Sequence, residues 1–180
     1  MSAFNEARKI EDMEIGTIVD FFCRIEDVET CFPLSYTPQS TTAMLHKQCG
    51  DIYVKKKDGV SFTVEAKVDE VGHKTGNFFL EEWSNTNPLT HGWMHYCQAE
   101  YLAYYFSQNK MLYVMDFKKL RNWAFVTKSD TTNVYGGEMR RYPTRSQDKY
   151  NQPNKPQGHI VPIAMLNLKD WCNEYSLGEK

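Results

Sequence analysis

Apolar and polar positions alternate most strictly between Gly50 and Val68. Ile52 and Val54 alternate with Asp51, Tyr53 and Lys55; Phe62, Val64, Ala66 and Val68 alternate with Ser61, Thr63, Glu65 and Lys67. A two-residue period marks a strand with one face in a core, so the stretch predicts a hairpin. Cross-strand partners share a face, which discriminates between registers. A two-residue Asp58-Gly59 turn would set Asp51 opposite Ala66 and Ile52 opposite Glu65, mixing the faces. A three-residue turn, Lys57-Asp58-Gly59, instead pairs Val54 with Phe62, Ile52 with Val64 and Asp51 with Glu65. It also puts glycine where left-handed backbone is wanted.

A helical period runs from about Asn5 to Val28, with Ile10, Met13, Thr17, Phe21 and Ile25 close to one stripe and Ile18 and Phe22 beside it. Glu29 to Ser40, with Pro33 and Pro38, reads as a connection, and Thr41 to Gln48 as a short strand or lead-in. Phe78 to Trp83 predicts a third strand beside the Glu65 strand. Trp93 to Phe106 predicts a helix, with Cys97, Tyr101, Tyr104 and Tyr105 near i, i+4 spacing. Met111 to Met115 reads as a buried strand, and Phe117, Leu120 and Trp123 mark a short helix. His159 to Ile163 reads as a closing strand and Leu168 to Tyr175 as a terminal helix. A helix between two strands suggests a crossover, and the whole is expected to be one α/β (α+β) domain over residues 1–180.

Composition narrows the class. Hydrophobic residues make up 41% and aromatic residues 14% of the chain, which excludes wholesale disorder. No apolar run approaches membrane-spanning length and MSAFNEARKIEDME lacks a signal-peptide core, so the expected location is cytoplasmic, with no membrane partner. The five cysteines form no C-x-x-C and read as reduced thiols. His91, His95 and Cys97 lack an evident fourth zinc ligand and are expected to be core or incidental residues.

The net charge of −2 counts against indiscriminate nucleic-acid binding but leaves room for a local basic strip. Residues 127–158 offer one. Arg140, Arg141, Arg145 and Lys149 interleave with Tyr142 and Tyr150 in a polar stretch long enough to be unusual inside a compact domain. Basic side chains can neutralise phosphates and tyrosine can stack on exposed bases; a solvated excursion is the alternative.

The hairpin register sets Asp51 and Glu65 directly opposite, with beta carbons about 4.5–5.5 Å apart. Lys67 follows one pleat along. Opposed like charges are destabilising unless compensated, and a hard divalent cation is the natural compensator. Asp51 followed by Glu65-Ala66-Lys67 resembles the signature of the PD-(D/E)XK nuclease superfamily, with Gly50 in place of the proline. The pattern Gly76-Asn77-Phe78-Phe79-Leu80-Glu81 is similar to small phage-type members, as are the pair Gly92-Trp93 and the run Ala99-Glu100-Tyr101, where Glu100 replaces an aspartate.

The resemblance implies a restriction-endonuclease-like αβββαβ core, a mixed central sheet flanked by helices. It implies a site in which Asp51, Glu65 and the Ala66 carbonyl hold Mg²⁺, with Mn²⁺ as a substitute. The first helix would add a glutamate, Glu14 or else Glu11, and Lys67 would orient the attacking water and offset charge. Glu81 or Glu82 could make an outer contact. Alternation does not decide which faces the site, and polar surface is the expected role of both. The implied activity is metal-dependent phosphodiester hydrolysis of nucleic acid, DNA before RNA, in the host cytoplasm if phage-encoded. A homodimer would be needed if the substrate is a junction. The rival reading is a catalytically silent protein on the same scaffold that binds or inhibits another nucleic-acid machine. No phosphate-binding GxxxxGK[ST] loop and no catalytic triad is evident.

Overall fold

A computed structural model describes residues 14–34, 49–86, 89–126, 138–139, 144–146 and 156–178. Its chain order is α1 (residues 14–23), β1 (Val28–Pro33), β2 (Ile52–Lys56), β3 (Ser61–Asp69), α2 (Gly72–Thr75), β4 (Asn77–Thr86) and β5 (Leu89–His91). There follow α3 (Trp93–Tyr96), β6 (Tyr101–Phe106), β7 (Met111–Asp116), α4 (Phe117–Ala124), β8 (Phe125–Val126), β9 (Glu138–Met139), β10 (Thr144–Ser146), β11 (Gln157–Pro162), α5 (Ile163–Asn167) and β12 (Cys172–Ser176).

The architecture is mixed α/β. A six-stranded sheet runs β1-β2-β3-β6-β7-β12, and a four-stranded sheet runs β10-β11-β4-β5. In the larger sheet only β3 and β6 are parallel; the other neighbours are antiparallel. Parallel neighbours need a long crossover, and here α2, the β4–β5 hairpin and α3 supply it.

Alternation along the larger sheet divides two cores. Ile52, Val54, Val64, Ala66, Ala103 and Tyr105 point to one face, which Ile18 and Phe22 of α1 cover. Leu102, Tyr104 and Phe106 point to the other, against Phe78 and Leu80 of β4, Trp93 and Met94 of α3, and Leu120 of α4. Central strands therefore carry apolar residues on both faces.

The β2–β3 hairpin has the expected register: Val54 pairs with Phe62 and Ile52 with Val64. Its turn closes with Gly59 donating to the Lys56 carbonyl at 3.0 Å, at a φ of 87° that favours glycine. The strand at Met111–Asp116, the helix at Phe117–Ala124 and the strand containing His159 also form where expected.

Other elements differ. The expected helix over Trp93–Phe106 is one turn of helix followed by strand β6, so Tyr101 and Tyr105 lie on one face and Tyr104 on the other. YLAYYF is buried on both sides, and such a run has the same apolar look as a buried helix. Strand β4 forms as expected but lies in the second sheet; β6 takes the place beside β3. The expected terminal helix is β12, which pairs with β7.

The expected first helix is described only over residues 14–23, and Val28, its expected end, together with Glu29–Pro33 of the expected connection, forms the edge strand β1; Pro33 falls at its end, where a missing donor costs least. Within 127–158, β10 pairs with β11 and extends the second sheet. The proposed lead-in at Thr41–Gln48 lies outside the described residues, as do Glu11, Arg140, Arg141, Tyr142 and Lys149; Arg145 is placed only as part of β10. No helix among the described residues is long and apolar enough to cross a membrane.

Candidate functional site

Strand β3 carries Glu65 and Lys67 on the face opposite Val64 and Ala66. Glu65 is buried, at 5% exposure. Lys67 donates to its Oε1 at 2.6 Å and keeps 26% of its side-chain surface open, so the pair is sealed at the carboxylate and open at the ammonium. Residues two apart on a strand lie side by side on one face, which makes this contact local. The Lys67 ammonium also sits over the Trp93 ring, 5.5 Å from its centroid.

Asp51 enters through Gly50, at φ 85°. A Cβ there would come within 2.8 Å of the Val64 carbonyl, so both the backbone and the space call for glycine where the resemblance expected proline. The Asp51 N–H donates to the Val64 oxygen at 2.8 Å and its carbonyl accepts from Leu34 at 2.7 Å. Its side chain reaches back to β3, where Oδ2 accepts the Ala66 N–H at 2.8 Å. A strand residue turns its N–H and C=O toward the same neighbour, so the Ala66 carbonyl faces the Asp51 side as well.

The charges converge. Burial works against the Lys67 ammonium, but the charges of Glu65 and Asp51 and the hydrogen bond it donates to Glu65 outweigh it and hold the lysine above its ordinary value. The second oxygen of Glu65 accepts from the Cys97 thiol, Sγ to Oε2 3.1 Å. Burial and then the Glu65 charge push that thiol well up, so Cys97 is a neutral donor and not a thiolate ligand. His91 and His95 pack ring on ring, with centroids 4.3 Å apart, and Trp83 stacks on His91.

A third carboxylate joins from the second sheet. Burial raises Glu81, the Lys67 charge and a hydrogen bond from the Trp93 backbone hold it back, and the Glu65 charge raises it further. Tyr96 stands beside the same groups, pushed up to about 12 by burial, with Lys67 opposing and Glu65 and Glu81 adding to the rise. Glu82 goes elsewhere: its Oε2 lies 2.8 Å from His159 Nε2. Alternation could not separate the two because β4 bulges between them. Gly158 pairs with Glu81 and the next residue back, Gln157, with Trp83, leaving Glu82 as the extra residue. A bulge re-aims the side chains that follow it.

Glu14 does not come to this cluster. Helix α1 lies on the Val64 and Ala66 face, and the Glu14 charge acts on Tyr105 of that same face. Glu100, at the aspartate position of the resemblance, accepts from the Thr63 N–H at 2.7 Å and the Thr63 hydroxyl at 2.9 Å, extending the β3–β6 edge.

Asp51, Glu65 and Glu81 thus all act on the Lys67 charge. Among the described residues no group of three or more His, Cys, Asp or Glu side chains forms a cage able to hold a metal ion by itself. Comparison with known proteins returns no matching family model, no significantly similar curated protein and no significantly similar solved structure.

Proposed function

We propose that this chain hydrolyses phosphodiester bonds of nucleic acid, DNA before RNA, with a magnesium or manganese ion taken between Asp51 and Glu65. The observation that carries the reading is the convergence of Asp51, Glu65 and Lys67 at the open end of one hairpin. The order of elements supports it: a helix, three antiparallel strands, a crossover, and a strand parallel to the third agree with the core that the resemblance implies. The crossover departs from that pattern by using strands as well as helical turns.

A cation bound there would neutralise phosphate charge and acidify a coordinated water. The chain's own residues do the rest. Asp51 is held in place by the Ala66 N–H, and the Ala66 carbonyl faces the same side. Lys67, kept protonated, is a fixed positive charge for the non-bridging oxygens as negative charge builds on them. Trp93 walls the lysine and Tyr96 stands beside it, reducing the water that would screen it. Glu81 adds negative charge that favours a divalent ion over the lysine alone. Glu14 has no part.

One observation favours a silent scaffold: both Glu65 oxygens already have donors, Lys67 and Cys97. A single experiment separates the readings. Plasmid and single-stranded DNA are incubated with the protein and Mg²⁺ or Mn²⁺, beside Glu65→Ala, while calorimetry follows ion binding. The nuclease reading expects cleavage that falls at least ~100-fold in the variant. Intact DNA together with no heat of ion binding would leave the silent binder.

A further inference from the structure

The face that carries Asp51 and Glu65 continues outward to the sheet edge. Tyr53, two residues beyond Asp51, pairs with Phe32 of the edge strand β1, and Tyr53 also pairs with Thr63, two residues before Glu65 on β3. Ile52 and Val54 point the other way, into the α1 core. The Phe32 and Tyr53 rings lie 5.2 Å apart at 35°, and Phe32 is 44% exposed. A phenylalanine that open, on an edge strand, gains little from folding, since burial is what makes aromatic surface favourable. Lys55 follows one pleat further on the same face, paired to Glu29 at 2.7 Å at the surface. Strand β2, which follows Asp51, therefore presents an aromatic ring and then an ammonium about 6.6–6.8 Å apart.

From this succession we infer that the Phe32–Tyr53 pair is a stacking subsite for a base of the substrate, next to the scissile phosphate. The inference rests on the nuclease reading and deepens it by naming the substrate form: a single strand, or an end or flap with unpaired bases. Bases in a duplex stack on one another and offer no free face, whereas any unpaired base can lie on an aromatic ring. The spacing suits it, because one pleat spans about one nucleotide of an extended strand. With the scissile phosphate near Asp51, Tyr53 meets a base about one nucleotide along and Lys55 a phosphate about two along, which exchanges Glu29 for a second anion. Exposed surface ion pairs such as Lys55–Glu29 are weak enough to be exchanged.

The test measures binding of the full chain, without divalent ion, to a labelled single-stranded oligodeoxynucleotide, to its duplex, and to the same strand with abasic sites. Phe32→Thr and Tyr53→Thr, which put strand-favouring β-branched residues in place of the rings, are compared with the wild type. The expected result is tighter binding of the single strand than of the duplex, with affinity lost about five- to a hundred-fold both in the variants and on the abasic strand. The abasic arm uses unaltered protein, so it stands even if a variant misfolds. Equal binding of intact and abasic strands overturns the subsite. So does a change of oligomeric state on sedimentation of Phe32→Thr with binding unaltered, which would assign the pair to a second copy of the chain. If Glu65-dependent cleavage persists in either case, the nuclease reading survives its subsite. If no strand binds and none is cleaved, both fall.

Discussion

Two partly sealed carboxylates with close nitrogen partners stand among the described residues, one in each of the larger sheets, and their surroundings differ. Glu82 and His159 bridge β4 and β11 at 2.8 Å, and the charges acting on Glu82 beyond its partner are those of His95 and His91, all favourable to a carboxylate. Glu65 and Lys67 meet at 2.6 Å, but their further company is Asp51 and Glu81, a negative surplus. The first pair is satisfied by its surroundings and fastens two strands. The second gathers Asp51, Glu65 and Glu81 about the Lys67 ammonium, and like charges brought together cost the native state stability.

Removing the cation from each pair, or a carboxylate from either, sharpens the contrast. The largest effect is expected from Lys67→Met, which leaves three carboxylates facing one another; urea unfolding should lose about 3 kcal/mol. Millimolar Mg²⁺ should recover part of that loss, because an ion that binds only the folded state stabilises it. An unchanged midpoint would show that the surplus does not exist.

A smaller loss, about 1–2 kcal/mol, is expected for Glu82→Gln at neutral pH, with DNA cleavage untouched. Its pH dependence is diagnostic. The hydrogen bond from His159 holds the Glu82 carboxyl below its usual value, against burial, so its stabilisation is complete above about pH 4.3 and fades as pH falls through the folded value. The melting temperature of the wild type should therefore drop on acidification more steeply than that of the variant. Parallel curves would remove the pair from the stability of the second sheet.

The smallest effect is expected from Glu81→Gln. Burial raises this carboxyl, so its ionised form costs stability at neutral pH. The variant should be more stable by up to about 1 kcal/mol at pH 7. The two proteins should converge below about pH 4.3, where the wild-type residue is protonated folded or unfolded. Calorimetry should show weaker Mg²⁺ binding by the variant. Loss of stability instead would mean that Glu81 is held by donors and adds no surplus.

Much of the site was legible before any coordinates. Alternation plus a glycine-ended turn paired Ile52 with Val64 and put Glu65 and Lys67 on one face; Asp51, expected opposite Glu65, lies just before the paired residues, with its N–H on the Val64 oxygen. Glu14 was misplaced because a helical stripe says which residues face a sheet, but not which side of the sheet the helix takes. Glu81 was missed as a site residue because alternation along β4 does not say which face of that strand meets the β3 site, which depends on how the second sheet packs. Strand β6 was read as a helix because a run buried on both faces has no period to follow.

What this sequence determined alone is what a two-residue period and one turn can encode: the hairpin, its register and the three side chains at its open end. Only the tertiary structure decided that β6 would lie parallel to β3, that α1 would cover the opposite face, and that Glu81 would arrive from a second sheet. The reason is distance along the chain. Contacts between neighbours on one ribbon follow from local stereochemistry, whereas contacts across a crossover depend on which distant surfaces bury each other best.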